Sequence, residues 1–155
     1  MKYLGCAYYP EYWGVERVKV DAKLMREAGI NIVRIGEFAW SRMEPLEGQY
    51  ALDWLHETLE ILGRHRIDVV MCTPTAAPPA WLTATYPDML LVRADGSRAI
   101  HGGRRHYCST SDTYRRHSAR MEAGGNTRHA VDSASASAAD AHRAHVPGRV
   151  AGRPV

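Results

Sequence analysis

Large aliphatic and aromatic side chains vanish from this chain after Tyr114: no Leu, Ile, Phe, Trp or Tyr follows it. Residues 121–155 are mainly Ala, Arg, Ser, His, Gly and Pro without period, a composition that excludes a hydrophobic core there. Cysteine is also scarce. Cys6, Cys72 and Cys108 are an odd number at wide spacing with no C-x-x-C pair, which excludes a disulfide framework and fits a reducing cytoplasm. No segment approaches the roughly 20 apolar residues that cross a bilayer. The opening Met1-Lys2-Tyr3-Leu4-Gly5-Cys6 lacks a long apolar stretch and a small-residue cleavage site, so no secretory signal is read and a cytoplasmic location without membrane partners is expected. A dominant charge is missing too: the net charge is +3 and is spread along the chain, so nucleic acid is not an expected partner.

What is present lies in the first three quarters. Lys2 to Tyr9 reads as a short strand ending at Pro10. Val15 to Ala28 follows with Val18, Ala22 and Met25 at helical spacing, and Gly29 stands where a helix stops in the left-handed conformation. Ile30 to Ile35 is β-branched and strand-like. A long loop through Pro45 and Gly48 leads to a helix over Leu52 to Arg64, with Trp54, Leu55, Leu59 and Leu62 on one face. Ile67 to Thr73 is the third strand, apolar on both faces as a helix-covered parallel strand would be. Beyond it come a Pro-rich loop, a hairpin signal at Asp95-Gly96 between Leu90–Arg93 and Arg98–Ile100, and a helix starting near Asp112 with Ser111 as its cap.

Alternating strands and helices predict right-handed parallel βαβ units. The loops entering the second and third strands are short and those leaving the strands are long, the asymmetry of a (β/α) barrel whose chemistry sits at the strand C-termini. A closed barrel needs eight units and about 250 residues, so the expected architecture is an incomplete (β/α)8 TIM barrel: three βα units, a loop containing a β-hairpin, and the start of the next helix. The expected division is a partial catalytic domain over 1–120 and a disordered low-complexity tail over 121–155.

Several blocks are long and unusual: Tyr8-Tyr9-Pro10-Glu11-Tyr12-Trp13, Gly29 through Ser41, Thr73-Pro74-Thr75, Pro78-Pro79-Ala80-Trp81-Leu82 and Arg104-Arg105-His106-Tyr107-Cys108. Together, from about Leu4 to Arg120, they resemble the start of the β-galactosidases of glycoside hydrolase family 42. The resemblance implies a (β/α)8 catalytic domain that removes terminal β-D-galactosyl residues with retention, often in trimers. Retention needs two carboxyl groups about 5 Å apart, one protonated and one ionised. In the family the acid/base Glu follows strand four in an Asn-Glu pair and the nucleophile ends strand seven. This chain departs from the family after Arg120 and contains no Asn-Glu dipeptide, so no catalytic residue is assigned and the chain alone is expected to be inactive. A frameshift is the expected origin of the tail.

The resemblance also assigns two positions. Arg104 matches a guanidinium that donates to galactose hydroxyls, a role suited to its planar fork of donors. Cys108 matches one ligand of a structural zinc found in many members; the other three lie beyond the point of departure, so the site is incomplete and a free thiol is expected. No cofactor is required for the chemistry. Cys6 and Cys72 read as small buried core residues. Glu37, past the second strand, is expected to support loop backbone or orient neighbours, and Glu11 and Glu44 to be solvated loop acids. Trp13, Trp40 and Trp81 are candidates for sugar stacking or loop packing. His101, His106 and His117 read as surface or hydrogen-bonding residues, and the tail residues His129, His142 and His145 as compositional. The competing functional reading is a non-enzymatic sugar-binding remnant of the barrel, with nucleic-acid binding by the tail weaker still.

Overall fold

A computed structural model describes residues 2–103 and 105–124. The tail from 125 onward, with His129, His142 and His145, and also Arg104, lie outside the described residues. Strand β1 (Gly5–Ala7), helix α1 (Val15–Glu27), strand β2 (Ile32–Ile35), the short helix α2 (Trp40–Met43), helix α3 (Asp53–Arg64), strand β3 (Asp68–Met71), helix α4 (Ala80–Thr85) and helix α5 (Asp112–Gly124) follow in chain order. The strands form one parallel sheet in the order β1-β2-β3, with Cys6 opposite Val33 and Val33 opposite Val69. The sheet is the beginning of a barrel and does not close. Among the described residues, no helix is long and apolar enough to cross a membrane.

Both helix-to-strand turns use the same device. After α1, the Ile30 amide donates to Met25 O and the Gly29 amide to Arg26 O, with Gly29 at φ 81°. After α3, the Ile67 amide donates to Leu62 O and the Arg66 amide to Gly63 O, with Arg66 at φ 55°. Each is a left-handed helix stop that drops the chain straight into the next strand. The Asn31 side chain then ties the sheet at its N-terminal end, accepting from the Leu4 amide and donating to Lys2 O. Gly5 permits the close pairing of β1 with β2, since a Cβ there would stand 2.5 Å from Ile32 O.

One face of the sheet is covered. Val33 and Ile35 are buried with Val18, Ala22 and Met25 of α1 and with Leu55, Leu59 and Leu62 of α3. The opposite face, carrying Ala7, Arg34 and Val70 by the alternation of the pleat, is exposed. This corrects two expectations. β3 is covered on one side only, with Val70 46% exposed. Cys6 is exposed and Cys72 half-buried, because among the described residues β1 has no neighbour on its outer edge and the inner face has nothing opposite it. The first strand is also shorter than Lys2 to Tyr9.

The long loops carry local order. The hairpin signal becomes a single antiparallel bridge, Val92 to Arg98, closed by Gly96 at φ 81° and by Asp95, whose carboxylate accepts from the Ser97 amide. Ser111 caps α5, its hydroxyl accepting from the Tyr114 amide at 3.4 Å. Met121, despite the poverty of the sequence around it, is fully buried in the same core.

Candidate functional site at the C-terminal end of the sheet

Three loops leave the sheet at one end. Arg34 of β2 ends in solvent on the open face and pairs with Glu37, one turn of loop further on. Cys72 lies beside them. Burial pushes its thiol above the usual cysteine range, Arg34 opposes that shift and Glu37 adds to it. Glu37 therefore orients a neighbouring side chain, the role sequence suggested, and its partner is a residue that the apolar run had concealed.

Arg42 holds the loop after β1. Its guanidinium donates to the carbonyls of Pro10, Glu11 and Trp13, and its Cζ lies 4.5 Å over the Trp54 ring centroid. Beneath it the Glu11 carboxylate oxygens are buried and find no hydrogen-bond partner among the described residues. Desolvation raises the Glu11 pKa, with Arg42 partly opposing it, so this acid is not the solvated loop residue expected. Trp13 and Tyr12 on the same loop remain exposed.

Glu44 departs furthest from expectation. It is fully buried, where a solvated loop acid was expected, because three donors compensate its charge: Trp40 Nε1 at 2.8 Å, the Gly48 amide at 2.7 Å and Arg120 Nη2 at 3.1 Å. Its own carbonyl accepts from Trp81 Nε1 at 2.9 Å. Arg120 also reaches Glu47 at 3.1 Å. Two of the tryptophans considered for sugar stacking are thus committed to packing, Trp40 with no exposure at all.

His117 of α5 is buried between Trp81 and Tyr86, with ring centroids 5.9 and 5.0 Å away. A surface or hydrogen-bonding residue was expected, and the helix periodicity from Tyr114 to Met121 was the signal against a surface position. Its ring nitrogens have no hydrogen bond among the described residues, and the Glu47 carboxylate at 3.9 Å is too distant to supply one. Burial and then Arg120 push its pKa down. His106 is buried too and donates from Nδ1 to Gly103 O, while the exposed His101 shares a hydrogen bond of 3.1 Å with the Thr83 hydroxyl.

The two residues assigned by resemblance fare differently. Nothing is described for Arg104 itself; its neighbours Gly102 and Arg105 both have positive φ, 102° and 54°, as a tight loop demands. Cys108 lines a cavity of about 520 Å³ with Asp88, Arg98 and Asp112, and its sulfur lies 3.1 Å from the Thr110 hydroxyl, which lowers its pKa. Among the described residues no group of three or more His, Cys, Asp or Glu comes together as a metal requires, so they do not fit a structural zinc site.

Chemically, this end offers an exposed guanidinium-carboxylate pair and an exposed aromatic loop. Of the other nearby acids, Glu44 and Glu47 are engaged with loop and helix donors, and the Glu11 carboxylate has no hydrogen-bond partner among the described residues.

The sequence model of a family described as β-galactosidase matches residues 7–134. The chain is 50% identical over 118 residues to a β-galactosidase of Thermus thermophilus, covering 76% of this chain and 18% of that protein. In solved structures it superposes on the polyextremophilic β-galactosidase of the Antarctic haloarchaeon Halorubrum lacusprofundi, at 42% identity and a TM-score of 0.74, over 77% of this chain and 18% of that one. The β-galactosidase of the psychrophilic Marinomonas ef1 gives 44% identity and the same TM-score and coverage. The chain thus spans about 18% of the length of the curated relatives it matches.

Proposed function

The chain belongs to the family 42 β-galactosidases, and from that premise we propose that it forms one wall of a pocket that hydrolyses terminal, non-reducing β-D-galactosides with retention. The observation that carries the reading is the family match over residues 7–134, whose described part forms a parallel sheet with its long loops leaving at one end. In a retaining glycosidase one carboxylic acid protonates the departing oxygen while a carboxylate about 5 Å away attacks the anomeric carbon. The proposed pocket takes both acids from strands beyond the three described here. Arg104 is its sugar contact, donating to galactose hydroxyls, and the exposed Trp13 offers an aromatic face to the apolar side of the ring. By this reading the chain contacts galactose and leaves its glycosidic bond intact.

Galactose titration followed by tryptophan fluorescence tests the contact. Saturable quenching that weakens about tenfold or more in Arg104→Ala, equivalent to about 1.4 kcal/mol, is expected. An unchanged response in that variant removes Arg104 from the site. Quenching with no dependence on sugar identity would remove the galactoside assignment.

A further inference from the structure

Two histidines of the loop between α4 and α5 meet where that loop packs on α4. The rings of His101 and His106 stand 5.1 Å apart, centroid to centroid, with 72° between their planes. His106 is 3% exposed, and its Nδ1–H donates to Gly103 O, which leaves the lone pair of the neutral ring on Nε2. That Nε2 is buried and has no hydrogen-bond partner among the described residues. Proton accounting orients the other ring in the same way. The Thr83 hydroxyl donates its single proton to Ala80 O at 3.1 Å, so it accepts from His101 Nδ1, also at 3.1 Å, and the His101 lone pair likewise falls on Nε2. The loop and α4 therefore hold two adjacent imidazoles, each with its outer nitrogen left as an acceptor.

We propose that His101 and His106 bind a late first-row divalent cation, zinc first among them, through their Nε2 atoms, with water completing the shell. The spacing favours this ligand, because two imidazoles that share a tetrahedral zinc at about 2.1 Å from each nitrogen hold their centroids about 5 Å apart. Neutral imidazole selects zinc, copper and nickel over magnesium and calcium. A backbone carbonyl on one Nδ1 and a hydroxyl on the other supply the outer contacts that fix the tautomer of a ligating histidine. Two protein ligands fall short of the closed four-ligand shell of a structural zinc, so the bound cation is exchangeable and carries water. The site is separate from Cys108, whose cavity is lined by Asp88, Arg98 and Asp112 and by neither histidine. Binding staples the 101–106 loop to itself above α4.

The test titrates zinc chloride into the full 155-residue chain by isothermal calorimetry. A saturable site is expected whose affinity falls at least tenfold in His101→Ala, a change at an exposed side chain, and again in His106→Gln, each checked for unchanged helicity by circular dichroism. Cys108→Ser and the tail variant His142→Ala/His145→Ala should bind as the native chain does. Magnesium chloride should give no saturable heat. Absence of binding, or binding indifferent to His101→Ala, overturns the proposal. Loss of binding in Cys108→Ser or in the tail variant, with His101→Ala unaffected, moves the cation to the thiol or to the tail and overturns it equally.

Discussion

Glu44 accepts from Trp40, Gly48 and Arg120 at once, and the first two of these lie within four residues of it. Arg120 comes from 76 residues away and is 40% exposed, so it is the donor whose loss water partly replaces. Arg120→Ala is therefore expected to destabilise the fold by about 2 kcal/mol, the range for a charged hydrogen bond to a buried acid, read from urea unfolding. Arg120→Lys should recover part of this, because it restores the charge without the two-pronged reach to Glu44 and Glu47. His117 gives a pH signature. The folded chain keeps its imidazole below the ordinary value by burial and by Arg120, with Arg116 adding and Glu47 and Glu44 opposing, whereas the unfolded chain protonates near 6.5. As pH falls through that unfolded value the unfolded state takes up the extra proton, so stability declines and the loss is complete below the folded pKa. The melting temperature of the native chain should fall more between about pH 7 and about pH 5 than that of His117→Gln, and parallel profiles would exclude the histidine as the cause. None of these residues stood out in sequence. A single Glu in a loop carries no local pattern, and its burial comes from Arg120, 76 residues away; His117 had only its spacing from Tyr114 and Met121 on one helix face to mark it.

At the scale of elements, α1, α3 and the three strands were legible because each is a periodic apolar run bounded by a turn residue. Gly29 marked the end of α1 by its chemistry. Arg66 occupies the equivalent place after α3 and gave no such mark, since a non-glycine residue in the left-handed region is tolerated only where the surrounding turn enforces it. Arg66→Gly should accordingly stabilise the chain, by up to about 1 kcal/mol after the glycine's greater unfolded freedom is discounted, as a shift in urea midpoint at constant slope. A loss of stability would mean that the Arg66 side chain holds the turn. Strand burial was misread for a related reason. Hydrophobicity in Val69-Val70-Met71-Cys72 records coverage on both faces of a complete barrel, and the three described strands supply coverage on one.

At the scale of the whole molecule, the sheet, its loops and the match over 7–134 describe the opening wall of a galactosidase barrel. The resemblance was readable because the blocks after each strand recur in order, whereas the exposure of Val20 and Leu24 was not, since nothing local separates them from Val18, Ala22 and Met25 of the same helix, which are buried. By the proposed function, the chain contacts galactose without cutting its bond and takes both working acids of the pocket from beyond its three strands. Purification from a host devoid of β-galactosidase, followed by assay on an aryl β-galactoside, tests this most directly. The rate should equal that of buffer; turnover that disappears in Glu37→Gln or Glu11→Gln would contradict it by placing a working acid within this chain.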